Sequence, residues 1–332
     1  MPVNYPKLNT MDEDEVEFLN QLNSQDEKVR FITIMNIADE EREEYLAWLH
    51  YALAEDPSEL VRIEAAKRLE GWEDRDSLLA LAHALTDRSS EVVIAATQSL
   101  SEVKNTQSAE VLAPFLDSEV AAVKVAILCA LKPLRVISLY EKIQAHIHHS
   151  DVFVRREAVS ALSWLQLDQA LDGLAEIAQH DPDLETRRIA TGALAYSQQP
   201  NTKVINALQH TLTAPDWQLR VEAALTIGKL KLKELEDQLI ALLHDTYWQV
   251  RIPAVRSLGL LKSEKSLAGL AENFFYEISN LRKEVALALG EIGGAEARRL
   301  LQAHESDPDP EVRKSIRIGL AQIRENEDAT TD

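Results

Sequence analysis

An aliphatic residue followed by Arg recurs along this chain at a nearly constant interval, and that periodicity limits the fold more than any other feature. It stands at Val29-Arg30, Val61-Arg62, Val154-Arg155, Leu219-Arg220, Val250-Arg251, Leu281-Arg282 and Val312-Arg313, with weaker copies at Val92-Val93, Val123-Lys124 and Thr186-Arg187. The second residues of these pairs, the anchors, are separated by 32, 31, 31, 31, 32, 33, 31, 31 and 31 positions. A period in this range marks an array of supersecondary units, none of which can bury its apolar face alone.

The neighbours of the anchor keep phase with it. Seven residues on stand Ile37, Leu69, Leu100, Leu131, Leu162, Leu194, Ile227, Leu258, Leu289 and Leu320, all Leu or Ile. One position further the residue is small in eight of ten units (Gly228, Gly259 and Gly290 among them), as expected where two helix backbones approach closely. With Ala65, Ala96, Ala158, Ala190, Ala223 and Ala254 three after the anchor, positions −1, +3 and +7 form one helical stripe. Upstream of each anchor lies a second amphipathic segment, such as residues 78–85 or 238–243, ending at a turn marked by Asp or Pro. Asp or Ser there can cap the next helix, and Pro is tolerated in its first turn.

Each unit therefore reads as helix, turn, helix. The expected fold is all-α, a right-handed α-solenoid of about ten stacked helix-turn-helix repeats over residues 24–324. Thr10-x-x-Glu13 reads as a capping box that opens a capping helix within residues 1–23, and the acidic tail 325–332 is expected to fray. Aromatics make up only 5% of the chain, and 10 Gly and 11 Pro supply too few turn signals for a sandwich or barrel.

The string Asp56-Pro57-x-x-x-Val61-Arg62-x-x-Ala65-x-x-x-Leu69 resembles the short HEAT-type repeat of the phycobilisome lyase HEAT-like family. The resemblance covers about nine tenths of the chain and is specific to a fold rather than an activity. It implies that turn Asp and helix Arg pair along the stack. With the six-residue spacing recurring at Asp56/Arg62, Asp181/Arg187, Asp245/Arg251 and Asp307/Arg313, the resemblance implies a structural role for those pairs. Val93 and Lys124 break the pattern, and Lys132-Pro133 interrupts a helix end, so irregular packing is expected near residues 120–140.

No catalytic set converges in the sequence. His146 and His149 lie at i, i+3 beside Asp151, yet a zinc site needs further ligands, and imidazoles at a helix C-terminus are already favoured by its dipole. His83, His180, His210 and His244 hold similar helix-end positions. Deoxyhypusine hydroxylase, which is built from similar repeats, uses several His-Glu dyads, whereas only His304-Glu305 occurs here. The single Cys129 sits in a Leu- and Ala-rich stretch, where a buried, inert thiol is expected. One cysteine, no run of about eighteen apolar residues and an acidic start point to a cytoplasmic protein with no membrane contact. No cofactor or metal is called for.

Charge decides the partner class. The chain carries −20 in total; residues 1–120 hold 26 acidic and 10 basic side chains, residues 121–332 hold 29 and 25. Glu64, Glu157, Glu222 and Glu284, two after their anchors, oppose Arg156, Arg188, Lys283 and Lys314, so nucleic acid is not expected to bind. Glu40, Glu41, Glu43 and Glu44, with Glu73, Asp74 and Asp76, fall in successive connections between repeats and should share one edge. That edge is the candidate surface for a basic protein partner. Trp217 and Trp248 share a phase, three before their anchors, and are expected to lie side by side as a second candidate contact. The expected function is a non-enzymatic interaction scaffold: an adaptor, chaperone or assembly factor, or an immunity-type protein. The alternative, implied only by the lyase resemblance, is a bilin-handling enzyme.

Overall fold

Among the described residues the chain forms twenty α-helices arranged in ten antiparallel pairs, and no strand. The computed structural model describes residues 3–331, and side chains through residue 325. Two units divide the chain, Met1–Leu165 and Gln166–Asp332. The first holds α1 (Glu13–Leu22), α2 (Glu27–Asp39), α3 (Leu46–Glu55), α4 (Glu59–Arg68), α5 (Arg75–Ala84), α6 (Ser90–Ser101), α7 (Ser108–Leu112), α8 (Ala121–Leu131), α9 (Tyr140–Gln144) and α10 (Val152–Leu165). The second holds α11 (Leu171–His180), α12 (Leu184–Ala193), α13 (Thr202–Leu212), α14 (Trp217–Leu230), α15 (Glu236–Ala241), α16 (Trp248–Leu260), α17 (Leu267–Asn273), α18 (Ser279–Ile292), α19 (Gly294–Ala303) and α20 (Pro310–Thr331). Even-numbered helices carry the anchors and stack on one another within each unit, as in α2, α4 and α6 or α14, α16 and α18. This is the α-solenoid expected from the period.

Phase in the sequence becomes burial in the fold. Val61, Ala65 and Leu69 are fully buried, as are Leu219, Ala223, Ile227 and Val250, Ala254, Leu258. Each such Leu, Ile or Val contributes roughly 1.5–3 kcal/mol relative to exposure. The small slot is also real. A Cβ added to Gly259 would lie 3.0 Å from Ala288 Cα and 3.1 Å from its Cβ, while one on Gly290 would lie 2.6 Å from Gly319 Cα. Position +8 of one repeat thus meets position +6 of the next.

The even helices end in a repeated way. Glu41, Arg135, Gln166, Lys231, Lys262 and Gly293 all have φ between 52° and 76°, and all stand eleven residues after an anchor. A left-handed residue at this place turns the chain out of the helix. Gly293-Gly294 is the helix stop read from the sequence.

Several expectations are corrected. The first capping box belongs to Asp12 and Glu15, not Thr10 and Glu13: Glu15 N–H donates to Asp12 Oδ1 and Asp12 N–H to Glu15 Oε2, both at 2.9 Å. The helix it starts, α1, packs on α2 as the first member of the first pair. Ahead of it the segment from residue 3 is fastened down: Tyr5 is buried with its hydroxyl on Asp56 (2.8 Å), and Trp48 Nε1 donates to the Pro6 carbonyl (2.8 Å). At the other end α20 spans Pro310–Thr331. Near residues 120–140 the helices are indeed broken, with 3-10 turns at Ala113–Asp117, Lys132–Leu134 and Ile137–Leu139. No helix among the described residues is long and apolar enough to cross a membrane.

Candidate partner-binding surface

The anchor arginines organise the edge where odd helices turn into even ones. Arg30 donates from Nε and Nη2 to Asp56 (2.8 and 2.9 Å), Arg62 likewise to Asp87 (2.8 and 2.9 Å), Arg220 to Asp245 (2.7 and 3.0 Å) and Arg282 to Asp307 (2.8 and 3.0 Å). Each carboxylate also accepts the backbone N–H two residues on, at Ser58, Ser89, Tyr247 and Asp309, and so caps its own turn. The partner is therefore the Asp of the following repeat, and the six-residue pairs assigned above are corrected. At that spacing the anchor reaches a backbone carbonyl instead: Arg62 to Asp56 O, Arg251 to Asp245 O and Arg313 to Asp307 O. Arg187 donates to Ala178 O.

Burial, the largest single influence, would raise the carboxyls of Asp87 and Asp307, but the hydrogen bonds from Arg62 and Arg282, the backbone N–H groups of Ser89 and Asp309 and the arginine charges together hold both below the usual range. Where the acceptor is missing, the ladder changes form. Val93 and Ser118 lose donor and acceptor together, and Arg251 meets Tyr276, its guanidinium 4.5 Å from the ring centre. These residues are structural.

On the even-helix face the glutamates two after the anchor are also engaged. Glu64 accepts from Arg68 (2.7 Å), Glu157 from Lys132 (3.0 Å), Glu222 from Arg188 (3.3 Å) and Glu284 from Arg256, the last at 2.8 Å from Nε. Arg188 is shared with Glu185, and Arg156 lies 5.5 Å from the Phe153 ring centre. Local pairing uses up most of the charge on this face.

The acidic edge divides into fixed and free residues. Glu73 accepts the backbone N–H groups of Lys104 and Asn105 (both 2.9 Å) and the Ser108 hydroxyl (2.6 Å), tying one connection to the next. Burial opposes its ionisation, yet these bonds hold its carboxyl below the usual range. Asp74 caps α5 through the N–H groups of Asp76 and Ser77. Arg42 lies inside the cluster, 2.8 Å from Glu15 and 3.8 Å from Glu44. Glu40 hydrogen-bonds Tyr45, whose hydroxyl burial pushes up to about 12, with the Glu40 charge adding to the shift. Glu41, Glu43 and Asp76 are exposed and make no ion pair among the described residues, and neither does Glu70 beside them. Thus Glu73 and Asp74 hold the fold, while Glu41, Glu43, Glu70 and Asp76 are the available charges. The C-termini of α2, α4 and α6 end on this edge and add partial negative charge.

Trp217 does not meet Trp248. It stacks on Tyr247, with ring centres 6.0 Å apart and planes at 17°, and Arg220 lies 5.8 Å from the Tyr247 ring centre. Both tryptophans are half-buried. Trp72 lines a cleft of about 660 Å³ with Asp39, Glu41, Glu64 and Glu70, whereas Trp164 is 41% exposed beside Arg135.

Residues 46–132, 121–195 and 205–274, more than half of the sequence, match the HEAT repeats family. The chain belongs to the HEAT-repeat family. Among solved structures, an engineered protein shares 19% identity over 93% of this chain and 98% of its own, with a TM-score of 0.52. YibA of E. coli shares 17% identity over 81% of this chain and 97% of its own, at 0.56. Kap95p shares 14% over 93% of this chain and 49% of its own, at 0.63. These identities speak for the HEAT fold alone. No curated protein matches the sequence.

Of the remaining reactive residues, Cys129 sits in α8, while His146 and His149 lie in the turn between α9 and α10. No group of three or more metal-ligating side chains occurs among the described residues. His149 Nδ1 accepts the Asp151 N–H (3.0 Å), and burial depresses the His146 pKa, with Lys124 and His149 adding to it. Cys129 is half-buried rather than enclosed, yet burial and the Glu157 carboxylate push its thiol up to about 11, so it is not a thiolate near neutrality.

Proposed function

We propose that this HEAT-repeat chain is a non-enzymatic scaffold that docks a basic protein partner on the acidic edge of its first unit. The observation that carries the reading is the set Glu41, Glu43, Glu70 and Asp76, exposed and without ion-pair partners where three helix C-termini end. Four uncompensated carboxylates beside three helix C-termini attract cations and repel nucleic-acid phosphates. Kap95p, a solved structure with the same fold, is described in complexes with RanGDP and with Nup1, which agrees with a protein-binding role for such an array. The lyase resemblance adds no chromophore chemistry, because its consensus Asp and Arg are the residues of the structural ladder.

The test is Glu41→Gln, Glu43→Gln, Glu70→Gln and Asp76→Asn combined, with Glu73 and Asp74 left in place. Association of a fluorescent lysine-rich peptide is followed by stopped flow across a salt series. The variant is expected to associate more slowly, with a flatter salt dependence and an unchanged melting curve. Equal rates at low salt would refute the docking edge.

A further inference from the structure

An apolar row crosses the even helices of the first unit beside the acidic edge. One position after the anchor stand Phe31, Ile63, Ile94 and Val125, on four successive helices. Ile94 is 49% exposed and the others are half-buried, while Ile32 and Leu60 flank the row at 55% and 54%. The repeat itself does not require these side chains. In the second unit the same position holds Arg188, Val221, Ile252, Lys283 and Lys314, and the stripe that builds the core lies at −1, +3 and +7. Ile32, Leu60 and Ile94, exposed on three successive even helices and joined by half-buried Phe31, Ile63 and Val125, mark a contact surface.

The row runs into charge. On α4 the exposed side passes from Leu60 and Ile63 to Glu64 and Lys67, and there opens the cleft bordered by Asp39, Glu41, Glu70 and Trp72. Arg68 is held by Glu64 and Asp39, whereas Glu41 and Glu70 have no ion-pair partner among the described residues. A ligand for this surface must be apolar along one side and cationic along the other.

We propose that the row and cleft seat an amphipathic helical segment of the partner, with apolar residues repeating every heptad against the row and Lys or Arg over the cleft. The inference rests on the acidic-edge reading above and names the partner's form. Packed helices lie about 8–10 Å apart, so successive members of the row repeat at about that distance. A helix advances about 10.5 Å in seven residues, about 0.5–2.5 Å beyond that spacing, whereas an extended strand returns to one face after about 6.6 Å and falls about 1.4–3.4 Å short of it. A polyproline II segment repeats at about 9.3 Å but offers one residue per turn, and so fills the central row without reaching Ile32 and Leu60. An anionic bilayer is disfavoured by the same carboxylates that favour the peptide.

Labelled peptides of four heptads separate these readings by fluorescence anisotropy with the full chain. One carries paired leucines in each heptad flanked by lysines, a second has serine for leucine, a third has glutamate for lysine, and a fourth is a proline-rich peptide with leucine at every third position. The Leu/Lys helix is expected to bind roughly tenfold or more tighter than each of the others. Combining Ile32→Gln, Leu60→Gln and Ile94→Gln, all at exposed positions, should remove that advantage while leaving the melting curve and the weak binding of the Ser/Lys peptide unchanged. Equal binding of the Ser/Lys and Leu/Lys peptides would overturn the apolar row and leave the acidic edge standing. If neither lysine peptide binds, both proposals fail. Tighter binding of the proline-rich peptide would overturn the helical form, and co-sedimentation with phosphatidylserine vesicles would overturn the protein partner.

Discussion

Arg220 and Asp245 provide the sharpest test of the inter-repeat ladder, because Asp245 faces two candidate partners. Its carboxylate accepts two bonds from Arg220, 25 residues earlier, while Arg251, six residues later, donates only to its backbone carbonyl (2.7 Å). Both members of the inter-repeat pair are nearly buried, at 12% and 7% side-chain exposure. Removing one partner of such a pair leaves the other charge without compensation, a loss of about 3 kcal/mol. Asp245→Ala also removes the cap on Tyr247 N–H, worth about 1 kcal/mol more, which appears in the single variant but cancels in a double-mutant cycle. The cycle Arg220→Ala with Asp245→Ala should therefore show a coupling of about 1.5–3 kcal/mol. The cycle Arg251→Ala with Asp245→Ala should show about 0.5 kcal/mol or less, since the substitution leaves the accepting carbonyl in place. Urea unfolding followed by Trp217 and Trp248 fluorescence measures both. A larger coupling in the second cycle would refute the register of the whole ladder.

Other perturbations read different parts of the stack. Gly290→Ala should destabilise by about 1–3 kcal/mol despite the better helix propensity of Ala, because its Cβ would press on the Gly319 backbone; a raised melting temperature would refute the close approach. Lys262→Gly should stabilise by roughly 0.5–1 kcal/mol by relieving the left-handed backbone at φ 52°, and thermal melting checks the sign. Acidification should unfold the protein in two stages. His50 and His146, whose protonation burial opposes, lose stability as pH falls below their unfolded value of about 6.5. Asp87, Asp307 and Glu73, with depressed folded pKa values, contribute fully above an unfolded value of about 4 and lose that contribution as pH falls through the folded one. In Asp307→Asn the second stage should shrink; an unchanged acid limb would contradict the ladder's role.

What the sequence disclosed follows from which interactions are local. The stripe at −1, +3 and +7 and the glycine slot are helix-surface properties, so residues such as Leu258 and Gly259 declare themselves by phase. The Arg partners were missed because contact between neighbouring repeats is offset. A spacing of six joins side chain to carbonyl within one turn, whereas carboxylate and guanidinium meet only 25 or 26 residues apart. The signal was present: Val93, which lacks the donor, is followed by Ser118 where the acceptor would stand. The same offset moves Trp217 onto Tyr247 instead of Trp248. Nothing local announced that Tyr5 would reach Asp56, fifty-one residues away, or that Glu73 would hold backbone N–H groups of the next connection.

Charge shows how a repeat consensus and a binding surface can share one array. The consensus places Arg and Asp where each meets its complement in the next repeat; Glu157, Glu222 and Glu284 likewise find Lys or Arg of a neighbouring repeat, and Glu64 finds Arg68 one turn along its own helix. Residues that satisfy one another across the stack offer little to an outside ligand, since a competing partner would have to break a bond worth about as much as the one it forms. In the docking proposed above, recognition falls to side chains outside the consensus. In the first unit these are the uncompensated Glu41, Glu43, Glu70 and Asp76 and the exposed Ile32, Leu60 and Ile94, all positions the stack leaves without a partner. The first unit, residues 1–165, carries 29 acidic against 16 basic side chains, so its surplus cannot be neutralised internally however the pairs are arranged. The surplus is therefore a field directed at solvent, screened by salt counterions, and in the proposed docking the Lys or Arg of a basic partner take the place of those counterions.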